Sequence, residues 1–181
     1  MKLHLVTGNK GKVVEFSRML ERPLESVKLN LPETQEVDVV AVAKAKAEAA
    51  YAQLREPVLV DDTGLTVHEW GKLPGAFIAW FLDNVGNEGI IKMLSGWDGR
   101  DASVTTAIGF CDGTTTKVFE GTVKGTISEA VRGGNGFGYD PIFIPIGSNK
   151  TFAEMTDDEK DKVSMRRLAL EQVKSWLVEN A

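Results

Sequence analysis

The stretch over residues 102–124 limits the fold more than any other part of this chain. Thr, Val, Ile and Phe dominate it, and these residues favour pleated, half-buried strands. Asp112-Gly113 interrupts the run with a turn signal, so the pattern predicts a long β-hairpin. Elsewhere strands alternate with helices. Residues 2–6 put Leu3 and Leu5 on one strand face, Thr7-Gly8-Asn9 follows as a loop, and a helical pattern continues to Leu20. Residues 26–31 alternate Val27, Leu29 and Leu31, and residues 58–60 read as a short buried strand ending at Asp61-Asp62. Residues 39–54, rich in Ala, Lys and Glu, predict a helix that Pro57 closes. Two helices are expected at 76–85 and 88–94, separated by Gly86, then a strand at 142–144 and helices near the end. A hairpin within such an alternation excludes a purely parallel sheet and predicts an α/β protein with a mixed sheet.

No repeat, low-complexity tract or linker divides the 181 residues, so one folding unit is expected. The net charge of −5 argues against a nucleic-acid duplex as partner, because phosphate backbones are bound by basic surfaces. It leaves room for a single nucleotide, which needs only local cations. No apolar run approaches the roughly 20 residues of a membrane-spanning helix, and the first residues are too short an apolar segment for a signal peptide. The lone Cys111 cannot form an internal disulfide, which points to a reducing cytoplasm.

Four segments offer chemistry. At Thr7-Gly8-Asn9-Lys10-Gly11-Lys12 a loop opens a helix, where unpaired N–H groups and two lysines suit an anionic phosphate. The spacing is too short for a Walker A loop and Val13 replaces its hydroxyl, so a surface turn with solvated lysines is the competing reading. At Asp61-Asp62 two carboxylates follow a buried strand, the usual ligand end of an open α/β sheet. Adjacent strand residues face opposite sides, so one acid suits a hard cation such as Mg²⁺ while the other pairs elsewhere. An Asx-turn opening a loop is the alternative there. Glu33 and Glu36 form a third group, readable as solvated charges when taken alone. The glycine-rich loop at 133–140 lacks a dinucleotide fingerprint, but its Phe137 and Tyr139 suit a nucleobase, or else pack a corner. His4 and His68 stand apart from other ligand-type residues, so neither a zinc site nor a histidine-based nucleophile is indicated.

Taken in order, Thr7-Gly8-Asn9 with Lys12, Leu31-Pro32-Glu33, Val60-Asp61-Asp62-Thr63-Gly64-Leu65, Leu73-Pro74-Gly75, Gly136-Phe137-Gly138-Tyr139-Asp140-Pro141 and Ala153-Glu154-Met155 leading to Lys160 and Ser164 carry a likeness. They resemble the inosine/xanthosine triphosphate pyrophosphatase family, from Val6 to Leu170. The resemblance implies a single domain over 1–181, with two α/β lobes around a long mixed sheet and a nucleotide cleft between them. It also implies a Mg²⁺-dependent homodimer that hydrolyses ITP, dITP and XTP to monophosphate and pyrophosphate, clearing them from the nucleotide pool. By the same resemblance, Thr7, Gly8, Asn9 and Lys12 hold phosphates together with Lys44, and Glu33 and Asp62 hold Mg²⁺. Thr63 joins the substrate-binding set. Phe137, Gly138, Tyr139 and Asp140 frame the base, with Lys160, Ser164, Met165 and Arg166 closing around it. Asp62, Glu33 and Lys12 are the catalytic candidates, with Asp62 or Glu33 as the base that assists a water.

A hypoxanthine or xanthine base presents a 6-oxo acceptor where adenine presents an amino donor. Arg166 or Lys160 can donate to that oxygen, and adenine then leaves a buried donor unpaired. The family pattern Ser-His-Arg reads Ser164-Met165-Arg166 here. Met165 either alters selectivity or turnover, or substitutes as packing. Two rival functions follow: a septum-inhibitor-like pyrophosphatase for pyrimidine or modified nucleotides, and a nucleotide-binding relative with catalysis weakened by Met165. On one continuous helix Lys160 and Arg166 lie roughly 120° apart, so a break is expected near Ser164. Thr156 with Glu159 has the form of a capping box just before it. The aromatic run Phe77, Ile78, Trp80, Phe81 and Leu82 is the candidate dimer interface, with burial in the core as the alternative.

Overall fold

The structure is a computed structural model that describes residues 2–180, except for the side chain of Lys10. β1 (His4–Val6) leads to α1 (Lys10–Met19), and β2 (Glu25–Val27) precedes the long α2 (Val39–Leu54). β3 (Val58–Val67) and the short β4 (Pro74–Gly75) are followed by α3 (Ile78–Met93). β5 (Asp101–Cys111) and β6 (Thr116–Ile127) form the expected hairpin, then come β7 (Phe143–Pro145), α4 (Asp157–Val163) and α5 (Met165–Glu179). The seven strands make one sheet in the order β2-β1-β3-β5-β6-β7, with β4 beside β3. β1 runs parallel to β2 and β3, while β3–β4 and β6–β7 are antiparallel, so the sheet is mixed as the sequence requires.

Local chemistry accounts for the boundaries. The hairpin turns at Asp112, whose carboxylate accepts from the N–H groups of Thr114 and Thr115. Gly86 adopts φ 67° and ψ −177°, so the two helices expected over 76–94 form one element with a kink. Ser164, at φ −83° and ψ 143°, separates α4 from α5 where the break was expected. β3 corrects the sequence reading, because it does not stop at Asp61-Asp62. Leu65 and Val67 are fully buried, and Leu65 and Thr66 pair with Gly75 and Pro74. That pairing keeps the chain extended, so the Asx-turn alternative falls away. Among the described residues no helix is long and apolar enough to cross a membrane.

The chain divides into two compact units. The first takes in residues up to Asp62, 106–121 and from Arg166 onward. It has a core on each face of its strands. Leu5, Leu59, Ile108 and Phe110 pack with Phe16 of α1 and with Leu170 and Val173 of α5. Val58, Val60 and Cys111 pack instead with Ala47 and Ala50 of α2. Leu59 thus faces one way and its neighbours the other, which is why Val58-Leu59-Val60 is apolar throughout. The second unit, residues 63–105 and 122–165, has its own core of Leu65, Val67, Ile90, Val104, Phe143 and Phe152 with their neighbours.

Candidate active site

The first unit builds a polar loop where β1 ends. Asn9 caps α1, with its carboxamide oxygen accepting from Gly11 N at 2.9 Å and Lys12 N at 3.4 Å. Thr7 Oγ1 in turn accepts from Asn9 N at 3.1 Å. The loop therefore shapes itself before any ligand arrives. Lys12, one turn into α1, leaves it for the end of the apolar run in β3.

Strand parity then assigns the acid pair. Asp61 follows the parity of Leu59, so it turns toward α1 and α5, whereas Asp62 follows Val58 and Val60 toward α2. The ion pairs agree. Lys12 Nζ lies 3.0 Å from the Asp61 carboxylate, and Arg166 Nη2, from α5, lies 3.6 Å from it. Arg166 also donates to Glu15 at 3.2 Å, from the face of α1 that carries Lys12. Asp62 Oδ2 accepts from Lys46 of α2 at 3.2 Å. The Asp61 side chain is 2% exposed and that of Asp62 is 18% exposed, so only Asp62 offers an oxygen that solvent or a ligand can reach.

Two of these residues, Lys46 and Glu15, had no place in the sequence reading, and Asp61 had no named partner. Lys46 takes the position expected for Lys44, which is exposed on the helix. The buried residues of α2 are Val39, Val42, Ala43, Ala47 and Ala50. At 100° per residue Lys46 lies roughly 35° from the middle of that stripe and Lys44 roughly 125° away, which is the signal that separates them. Asp61 and Glu15 act as partners of cations, a role that helix and strand spacing allow but do not dictate.

A hard cation meets a suitable donor set here. Mg²⁺ usually takes one or two carboxylates and keeps several waters rather than demanding an all-protein cage. Asp62 is the accessible acid of the pair, and Glu33 is exposed in the irregular segment before α2. Among the described residues no group of three or more His, Cys, Asp or Glu is placed to hold a metal. By donor chemistry, the carboxylates of Asp62 and Glu33 are each of the type Mg²⁺ takes, with water and substrate oxygens as the usual remainder.

The second unit holds the aromatic loop. Asp140 Oδ2 accepts from Phe137 N at 2.8 Å and from Lys160 Nζ at 2.6 Å. The same ammonium lies 5.4 Å from the centre of the Phe137 ring and 5.3 Å from that of Phe152. Gly136 has φ 74°, and a side chain there would run into the Asp140 carboxylate, so the loop closes around that acid. Asn87, just past the α3 kink, donates to Gly138 O at 3.0 Å. Phe137 is 57% exposed and Tyr139 only 6%. The expected aromatic pair is therefore split: Phe137 is largely exposed and Tyr139 belongs to the core.

The remaining expected residues fall to both units. Thr63, Lys160, Ser164 and Met165 lie in the second and Arg166 in the first. The structure groups Lys160 with Asp140 and Phe137, and Arg166 with Asp61 and Glu15. Ser164 is buried at the helix break and Met165 is buried in the second core, as packing requires. In the candidate interface, Ile78 is buried and Phe81 and Leu82 pack on the core, leaving Trp80 65% exposed.

Comparisons with known proteins converge. A profile described as the Ham1 family matches residues 3–176. A dITP/XTP pyrophosphatase from Methanopyrus kandleri is 40% identical over 99% of this chain and 98% of its own length. An inosine triphosphate pyrophosphatase from Yarrowia lipolytica is 43% identical over 100% and 98%. The solved Ham1 protein of Staphylococcus aureus superposes with a TM-score of 0.90 at 28% identity, each chain covered fully. A dITP/XTP pyrophosphatase structure from Mycobacterium abscessus gives 0.77 at 34% identity over 96% and 98%.

Proposed function

The chain belongs to the Ham1 family, and on that premise we propose that it hydrolyses ITP, dITP and XTP to the monophosphate and pyrophosphate with Mg²⁺. The observation that carries this reading is the division of two adjacent acids, Asp61 buried between Lys12 and Arg166 and Asp62 accessible beside Lys46. A triphosphate brings several negative charges to a net-acidic protein, so cations must be concentrated locally. Thr7, Gly8, Asn9 and Lys12 receive the phosphate chain, with Lys46 in the role first given to Lys44. Asp62 and Glu33 would hold Mg²⁺, which when bound would supply neutralisation of charge on the phosphates. Asp62 or Glu33 takes a proton from the attacking water, whose oxygen bonds to the α-phosphorus as the α–β anhydride bond breaks. Pyrophosphate leaves with the bond's electron pair, and no covalent enzyme intermediate forms.

In the second unit Phe137 stacks on the purine and Lys160, aimed by Asp140, donates to its 6-oxo group. That assignment favours a 6-oxopurine over a pyrimidine, in keeping with the names of the relatives. The protein works as a cytoplasmic homodimer in this reading, with the exposed Trp80 at the contact. Pyrophosphate release from ITP, XTP, dITP, GTP, ATP and UTP, with and without Mg²⁺, tests it. Turnover of ITP, dITP and XTP is expected, and only with the metal. Asp62→Asn is expected to lower kcat by about 10³-fold, the scale of a lost acid–base group. Wild-type turnover in that variant at saturating Mg²⁺ defeats the assignment.

A further inference from the structure

One cation beside the phosphate loop has no role in the reaction so far. β1 and β2 run parallel with Val6 opposite Val27, and Thr7 N donates to Val27 O at 3.0 Å. The two strands therefore end side by side, one delivering Thr7-Gly8 and the other Lys28. A Cβ built on Gly8 would meet Lys28 Cδ at 3.7 Å and Cε at 3.8 Å, ordinary van der Waals contact. The Lys28 stem thus runs along the bare backbone of Gly8, so its ammonium, one bond beyond Cε, is tethered beside the loop.

Among the described residues, the cations around the acid pair each have a carboxylate partner. Lys12 pairs with Asp61, Lys46 with Asp62, and Arg166 with Glu15 and Asp61. Lys28 is exposed, and among the described residues it forms no ion pair with a carboxylate. A hydrated, mobile ammonium on a flexible stem is a point charge that tolerates many phosphate geometries. It holds no fixed fork for one atom.

We propose that Lys28 is a polyphosphate-binding residue, its ammonium pairing with non-bridging oxygens of the phosphate chain seated on Thr7-Gly8-Asn9. The assignment rests on the triphosphate reading above and adds a residue that the family likeness did not supply. Because the contact does not depend on the α-phosphorus geometry, it stabilises bound substrate and transition state alike. Its loss is therefore read in KM rather than kcat.

The test uses Lys28→Met, which keeps the stem over Gly8 and removes the charge, and Lys28→Arg, which restores it. Steady-state kinetics with ITP and Mg²⁺ are paired with calorimetric titration of inorganic pyrophosphate. Lys28→Met is expected to raise KM about fivefold to tenfold with kcat held within about twofold, the scale of one exposed charge-assisted contact. Pyrophosphate affinity falls in parallel, both losses shrink at high salt, and Lys28→Arg recovers them. Unchanged KM and unchanged pyrophosphate affinity in Lys28→Met overturn the proposal, even where wild-type ITP turnover upholds the function. If the wild type turns over no ITP, the calorimetric arm still decides. Pyrophosphate binding weakened by Lys28→Met then upholds Lys28 while the hydrolysis reading falls, and absence of pyrophosphate binding by the wild type removes both.

Discussion

The acid pair of the first unit and the aromatic loop of the second each set an aspartate against a lysine, and they use it differently. Asp140 is 4% exposed at its side chain and spends one oxygen on Phe137 N and Lys160 together. It fixes the angle of a loop and the aim of an ammonium, and solvent does not reach it. Asp61 is equally hidden between Lys12 and Arg166, but it lies next in sequence to Asp62, which is open. The comparison teaches that residue type says little about an aspartate's work. What separates support from chemistry is whether water can reach the carboxylate.

The largest effect that can break this comparison comes from Asp61→Asn. If Asp61 is support, its removal leaves Lys12 and Arg166 beside a neutral amide in a poorly solvated place. Breaking a buried ion pair from one side typically costs about 3–5 kcal/mol. Urea unfolding is expected to show a loss of that order for Asp61→Asn, while Asp62→Asn, at an accessible position, loses little stability and most of its turnover. Equal stability losses in the two variants erase the distinction between hidden and open acid. A pure activity loss in Asp61→Asn moves that residue into the chemistry.

Phe137→Ala sharpens the comparison from the other side, with a smaller effect. The ring is largely exposed, so its removal leaves the melting temperature within about 2 °C, since surface substitutions rarely exceed ~0.5 kcal/mol. A base stacked on that ring loses about 1–3 kcal/mol of binding. KM for ITP is expected to rise at least about fivefold, while inorganic pyrophosphate, which has no base, binds as before. A parallel loss of pyrophosphate affinity merges the two regions into one electrostatic site and cancels the division of labour.

Sequence reading was strongest where structure is set locally. The bounds of α2, the Asp112 turn and the break at Ser164 follow from composition, turn chemistry and the conflict of two side chains on one helix. It was weaker where a distant partner decides. β3 runs past Asp62 because β4 pairs with it, and nothing local to Thr63-Gly64 announces that partner. Lys44 comes from the family likeness, and because α2 is apolar nearly all round at its start, the phase of its buried stripe, which favours Lys46, is faint until the packing is seen. Phe137 and Tyr139 look interchangeable in a glycine-rich loop. The second core takes one ring and leaves the other in solvent. Parity on β3 was legible and did predict separate partners for the two acids, though not which cations they would be.

The smallest expected effect concerns the frame that carries Lys160. α4 begins with a capping box, in which Thr156 Oγ1 accepts from Glu159 N at 3.2 Å and Glu159 accepts from Thr156 N at 2.9 Å. Lys150 Nζ adds a bond to Glu159 at 2.8 Å. That lysine first, and the Thr156 backbone N–H next, hold the Glu159 carboxyl below its ordinary value of 4.5. A depressed carboxyl stabilises the fold above its unfolded pKa, and the contribution disappears as pH falls through the folded value. Glu159→Gln keeps an acceptor for the box but drops the charge, so it isolates this term. The urea midpoint of the wild type is expected to exceed that of the variant slightly at pH 7, with the gap closing as pH falls from 4.5 downward. Added salt narrows the pH 7 gap, because the Lys150 pair is exposed. A gap that survives at low pH makes Glu159 a matter of shape, so charge then sets nothing at the start of α4 and the contrast with the first unit widens. KM for ITP unchanged in this variant, beside a raised KM in Phe137→Ala, locates base recognition in the ring and its ammonium rather than in the stiffness of the helix beneath them.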